Sequence, residues 1–313
     1  MSLPDKRMNT MSSIFEYPKL VKPVVVETGM MKSAVRRTLA VHHLGGICVW
    51  SGRAGMGKTT TAQHMVKLTE DAYDPDNPRA FRVVHYEAGS KNPTKSDAKH
   101  GIRSLYYGVG CKLDEGVYRT YLAEELAADL IHFLKKMNIQ IIFVDEAGCL
   151  SLGAIRGIVL VSDTARLLGL TLTVVLIGMD NLPTKVKRNP QVERRIHEWC
   201  YFKPCTLEET YNLLAALHPH FASLSLNNKS HKEQISYVHE ACKGMPGSLV
   251  PFASRFSSMF GELLDEDPMV HIQAALIQPL FDKERCESDS RHNYSGEMKE
   301  SAEASDADTS ADG

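Results

Sequence analysis

The run Gly52-Arg53-Ala54-Gly55-Met56-Gly57-Lys58-Thr59-Thr60 satisfies the pattern G-x-x-x-x-G-K-[ST] in full. Residues of these types at this spacing build a phosphate cradle. Gly55 and Gly57 lack a Cβ and can adopt positive φ, which lets successive backbone N–H groups converge on one anion. A helix opening at the end of the loop adds its unpaired N–H groups and the positive end of its dipole. Lys58 is placed to reach the β- and γ-phosphates, and the Thr59 hydroxyl to join a Mg²⁺ shell. The stretch from Gly52 to Thr60 therefore predicts a site for ATP or another nucleoside triphosphate, with Mg²⁺ as its ion.

Two carboxylates form the second constellation. Asp145 and Glu146 close the apolar run Ile139-Gln140-Ile141-Ile142-Phe143-Val144, and open α/β sheets place their ligands at such strand ends. Asp145 is suited to hold Mg²⁺ with Thr59, and Glu146 to orient and polarise the attacking water. Glu87, at the end of another expected strand, is the rival general base. Gly178-Met179-Asp180-Asn181 ends a further apolar run. An amide at that point can hold the water or sense the γ-phosphate, which favours Asn181 over Asp180, whose negative charge opposes the phosphate. Arg188, Arg194 and Arg195 sit just before the last expected strand.

The elements that must position these groups follow from hydrophobic period. Strands are expected at 46–50, 80–86, 139–146, 170–178 and around 199–202. Helices are expected at 29–44, 59–68, 120–137 (with Leu122, Leu126, Leu130, Ile131 and Leu134 buried) and 152–168, the last stopped by Gly169. Lys185 to Arg195 reads as a polar basic stretch. Near-continuous apolar strands alternating with helices predict an α/β fold with a parallel sheet covered on both faces. After Thr206 the pattern is purely helical. The expected organisation is an irregular arm at 1–28, a P-loop α/β domain at 29–205, a helical lid at 206–281 and a disordered acidic tail at 282–313.

Composition bounds the function. Of the 313 residues, 43% are hydrophobic and 24% charged, ordinary values for a soluble globular chain. With no apolar run of membrane-spanning length and a polar amino terminus interrupted by Pro4 and Pro18, the expected location is the cytoplasm, with no membrane partner. Seven scattered cysteines without a C-x-x-C pair favour reduced thiols over a zinc site. Ten acidic against four basic residues give the tail a charge of −6, so the net −2 of the chain leaves +4 on residues 1–281. A mildly basic body permits binding to nucleic acid.

With the loop at 52–59, the carboxylates at 141–146, the strand leading to Asn181, the arginines before a final strand and a helical lid, residues 30–281 resemble an AAA+ ATPase. The compact length, Gly178-Met179 and the run Phe202-Lys203-Pro204-Cys205-Thr206-Leu207-Glu208-Glu209-Thr210 resemble the transposition ATPases of the TniB, TnsC and MuB group. This resemblance implies assembly as a homo-oligomer, in ATP-dependent helical filaments on duplex DNA, and recruitment of a transposase, with a target-selector protein as a further partner. It also implies a finger arginine that reaches a neighbour's γ-phosphate, with Arg195 the first choice and Arg194 the second. Lys91, Thr94, Lys95, Lys99 and Arg103 are the first candidates to contact DNA phosphates, and Lys185, Lys187 and Arg188 the second. One departure stands out: Gly244-Met245-Pro246-Gly247-Ser248 carries glycine where many AAA+ lids carry a sensor arginine, and Arg255 is the nearest substitute. A loader or remodeller acting on a protein, or a signalling NTPase switch, fits the same motifs.

Overall fold

Five parallel strands run in the spatial order β2-β3-β4-β1-β5. They are β1 (Gly46–Ser51), β2 (Arg82–Glu87), β3 (Ile139–Asp145), β4 (Thr173–Gly178) and β5 (Ile196–Tyr201). The computed structural model describes residues 25–77, 79–88, 97–260 and 268–276. The central strands β1 and β4 are buried at every position, whereas the edge strands β2 and β5 alternate with partly exposed residues. That contrast is what helices on both faces of a parallel sheet, with two free edges, require.

Helices α1 (Gly29–His42), α2 (Lys58–Asp71), α3 (Ala98–Gly108), α4 (Glu115–Thr120), α5 (Ala123–Lys136) and α6 (Leu152–Leu167) fill the connections. One face of the sheet buries Ile142, Val144, Val174 and Leu176 under Leu105, Leu130, Ile131 and Ile158. The other buries Trp50, Phe143, Val175 and Ile177 with Ala34, Ala62 and Met65. Between β4 and β5 lie two short helices, α7 (Asn181–Lys187) and α8 (Pro190–Glu193). The helical remainder comprises α9 (Leu207–Leu217), α10 (Pro219–Ala222), α11 (Lys229–Ala241), α12 (Pro246–Phe260) and a last described helix over 268–276.

The described residues fall into two compact units. The larger holds 25–213 and 243–248; the smaller holds 214–242 and 249–276. The smaller is organised around Phe221, Phe252 and Phe256, which meet at centroid separations of 5.1–6.0 Å.

Several sequence expectations are corrected. Residues 120–137 are not one helix: Asp114 caps the short α4, Tyr121 is extended, and α5 begins at Ala123. Leu122 is consequently the residue before the helix and is 64% exposed rather than buried. The polar basic stretch Lys185 to Arg195, given no secondary structure from sequence, holds the end of α7 and all of α8. The strand expected at 170–178 starts only at Thr173, because Leu170 to Leu172 serve the turn that returns from α6. Glu146 lies beyond its strand, in the left-handed region at φ 51°. The arm up to residue 24, the tail and the segment holding Lys91, Thr94 and Lys95 lie outside the described residues.

Helices α3 and α6 cross at backbone contact. A Cβ on Gly101 would strike the Ala154 carbonyl, and one on Gly157 would strike the Ala98 carbonyl. Each helix supplies the glycine that admits the other.

Candidate functional site

The loop between β1 and α2 has the backbone its glycines promise, with Gly55 at φ 77° and Gly57 at φ 83°. Gly57 precedes α2 and gives the helix no side-chain cap, so its first N–H groups stay available to an anion. Met56 is buried in the core under the loop, so it anchors the cradle and offers a ligand only its main chain. Lys58 is 9% exposed and its ammonium donates to the carbonyls of Gly52 and Arg53, both at 2.8 Å. Burial pulls Lys58 below the ordinary lysine range, opposed by the charges of Asp145, Glu146 and Asp180.

Asp145 is 6% exposed and its carboxylate is fully engaged. Oδ2 accepts from Thr59 Oγ1 at 2.7 Å and meets His85 Nε2 at 3.2 Å. Oδ1 accepts from the Glu146 N–H at 2.9 Å. Burial works against the charged form, but these hydrogen bonds outweigh it and hold Asp145 below the usual carboxylate range. The Thr59 hydroxyl and the Asp145 carboxylate are hard oxygen donors already in contact. Together they fit Mg²⁺, which takes few protein ligands and keeps water and phosphate oxygens around it.

Glu146 opens a single 3-10 turn, Ala147–Cys149, and its side chain is exposed. A left-handed backbone costs a residue with a Cβ about 1–2 kcal/mol; here it turns the chain sharply at the sheet's ligand edge. Glu87 is paired in register with Asp145 on the neighbouring strand and is also exposed. Both candidate bases therefore flank the same carboxylate. Because β4 lies between β1 and β3, its end carries Asn181 between the loop and the Asp145 strand. The Asn181 side-chain oxygen lies 3.5 Å from where a Gly148 Cβ would stand. Lys185 then ties α7 to the same turn, donating to the carbonyls of Gly148 at 2.6 Å and Leu150 at 2.9 Å.

Arg194 and Arg195 lie immediately before β5 and are exposed. Arg195 Nε is paired with Asp163 Oδ2 at 3.1 Å, whereas Arg194 makes no ion pair among the described residues. Arg188 caps α7, and Lys187 lies over the Trp199 ring at 5.4 Å. On α3, Lys99 Nζ donates to the Tyr118 carbonyl at 3.3 Å. Arg103 is paired with Glu115 and stacks on Tyr118 at 4.7 Å. Arg255, in the smaller unit, donates to the Ala275 carbonyl at 3.2 Å.

Two members of the site are not evident from sequence. His85 reaches Asp145 only once the β2–β3 register is known; its one signal is that it precedes Glu87 by two residues and so shares its face. Gly247 donates its N–H to the Gly55 carbonyl at 2.8 Å, and a Cβ on Gly247 would lie 2.6 Å from the Gly55 Cα. The glycine that stands where an arginine was expected thus closes directly on the phosphate loop.

The structure resembles that of the ORC2 protein of Aeropyrum pernix in its ADPNP–ADP complexes. The TM-score is 0.58 at 17% identity, over 83% of this chain and 69% of that one. For the ORC1 protein of Aeropyrum pernix in complex with DNA it is 0.51 at 15% identity, over 83% and 67%. Cdc6p from Pyrobaculum aerophilum gives 0.50 at 16%, over 77% and 64%. These likenesses establish the AAA+ P-loop fold. No curated protein sequence matches the chain significantly. A family profile described as "Bacterial TniB protein" matches residues 41–203, just over half the chain and all of the sheet. The chain belongs to the TniB family of AAA+ ATPases.

Proposed function

We propose that this protein is an ATP-dependent molecular switch that assembles head to tail on duplex DNA and recruits a transposase to that site. The observation that carries the reading is the contact between Thr59 and Asp145 beside an exposed Glu146. It joins the phosphate cradle, the cation donors and a general base at one sheet edge. ATP lies in the Gly52–Thr60 loop with Lys58 against its β- and γ-phosphates. Thr59 and Asp145 would hold Mg²⁺, and the ion would supply charge neutralisation to phosphoryl transfer. Glu146 orients the attacking water, Asn181 senses its approach, and hydrolysis is slow until assembly. An arginine from the neighbouring subunit completes the site. Among the described residues Arg194 has no ion pair to break, whereas Arg195 would first have to leave Asp163, which supports Arg194 for this role. Family membership supports transposition as the setting, and the DNA complex of the structurally similar ORC1 protein supports duplex DNA as the partner.

Negative-stain microscopy with duplex DNA tests the reading, with ATP, with ADP, and with ATP and the Glu146→Gln variant. Filaments or spirals that need both DNA and ATP, and persist in Glu146→Gln, are expected. Closed rings indifferent to DNA would instead identify a remodeller of proteins, and particles monomeric throughout a signalling NTPase.

A further inference from the structure

His85 has no part in the nucleotide chemistry described so far, yet it touches the same Asp145 oxygen as Thr59. Its side chain is 16% exposed and that of Asp145 is 8% exposed, so the pair is largely removed from water. The ring reaches across from the edge strand β2, where His85 is in register with Phe143, two residues before Asp145. Asp145 also accepts the Glu146 N–H, but on the other oxygen. Oδ2 is therefore held by two side chains of different fates. Thr59 is a cation ligand in the proposed site, and its hydroxyl must turn its lone pairs towards Mg²⁺. The His85 side chain is bound to nothing else among the hydrogen bonds of the described residues and can keep its grip on Oδ2 when that happens.

We propose that His85 is a positioning residue, whose Nε2–H bond to Asp145 Oδ2 fixes the carboxylate plane so that the Thr59–Asp145 oxygen pair is ready for Mg²⁺. This rests on the nucleotide-site reading above and deepens it. A carboxylate anchored only by the Glu146 N–H on Oδ1 can rotate about its Cβ–Cγ bond, and each cation must then order it. With His85 in place that ordering is built into the fold, as outer-shell partners do for metal ligands elsewhere. The bond requires the proton on Nε2, which leaves Nδ1 as the acceptor of the neutral ring.

The test follows the Mg²⁺ dependence of nucleotide binding, with a fluorescent ATP analogue titrated into the full-length protein in EDTA and across a Mg²⁺ series. His85→Leu fills the same space without a donor. His85→Gln keeps an N–H near the position of Nε2. His85→Leu is expected to raise the Mg²⁺ concentration for half-maximal tightening by about 10–100-fold. Binding in EDTA should stay within about two-fold of wild type, and His85→Gln should recover most of the difference. If the wild type binds tighter with Mg²⁺ and His85→Leu shows the same Mg²⁺ dependence, His85 has no positioning role. Equal losses in EDTA and in Mg²⁺, or a glutamine variant no better than leucine, overturn it too, because they reduce His85 to a packing residue. A wild-type protein that binds no nucleotide in either buffer overturns the nucleotide-site reading itself and this inference with it.

Discussion

Substituting Lys58 and substituting Glu146 are expected to fail in different ways, because the roles proposed for the two groups fall at different moments. Lys58 holds the loop together through Gly52 and Arg53 and, in the proposed site, faces the phosphates, so Lys58→Ala should abolish nucleotide binding. The Glu146 side chain is exposed and outside the core, so Glu146→Gln should bind nucleotide normally and lose about 10²–10⁴ in turnover, the usual worth of a positioned general base. Glu87→Gln is the control. Phosphate release in the three variants, beside binding of a fluorescent analogue, checks the assignment; turnover lost in Glu87→Gln and kept in Glu146→Gln would reverse it. Legibility in sequence divides at this scale by range. Lys58, Thr59, Asp145 and Glu146 can be read because each belongs to a local pattern whose geometry follows from a strand end or a glycine turn. His85 and Gly247 cannot, because their partners Asp145 and Gly55 are remote in the chain, and only sheet register and chain closure bring them in.

At the scale of elements, the central strands are readable because burial on both faces makes them apolar along most of their length. Helix α4 is not, since none of its residues is buried and no apolar stripe marks it. Leu122 misleads for a related reason: its spacing matches the α5 stripe, but the Tyr121 turn takes it out of the helix. The α3–α6 crossing leaves no periodic signal either, being made by what Gly101 and Gly157 lack. Gly101→Val should force the helices apart and lower stability by about 1–3 kcal/mol, the usual cost of overpacking. A thermal melt reads this directly, and an unchanged melting temperature would mean that the crossing is loose. Gly247→Ala should weaken binding of the fluorescent analogue, because its Cβ would press on the Gly55 backbone in the proposed phosphate loop.

At the scale of the whole molecule, each unit carries a histidine whose charged form is disfavoured by burial. In the larger unit burial lowers His42 below its ordinary value, helped by the charge of His43 and opposed by Gln140. In the smaller unit burial lowers His220, with His218, His231 and His271 adding to the effect and Gln234 opposing it. A depressed histidine stabilises the fold fully above its unfolded value of about 6.5 and loses that contribution as pH falls through its folded value. Both units should therefore melt at lower temperature at a pH of about 5.5 than at about 7.5. Asp145, depressed from a carboxylate value, keeps its contribution across that window. Melting temperatures that hold steady or rise on acidification would contradict this. On DNA, changing Lys91, Lys95, Lys99 and Arg103 together to Ala should flatten the salt dependence of binding, by a slope of about 0.9 for each phosphate that the side chains had neutralised. ATP-dependent binding that survives the change would remove these residues from the interface. The two tryptophans of the chain sit in unlike settings. Trp199 lies on the edge strand beneath Lys187, whereas Trp50 is fully buried two residues before Gly52. Its indole is wedged between Phe143 and Phe202 at centroid distances of 5.1 and 5.4 Å, and its N–H finds no acceptor among the described residues. Phe143 stands two residues before Asp145, and the Phe202 carbonyl lies against Gly52. A Trp199→Phe protein would thus glow from a single dry spot wired to both halves of the phosphate site, an optical gauge of loop and strand that needs no dye.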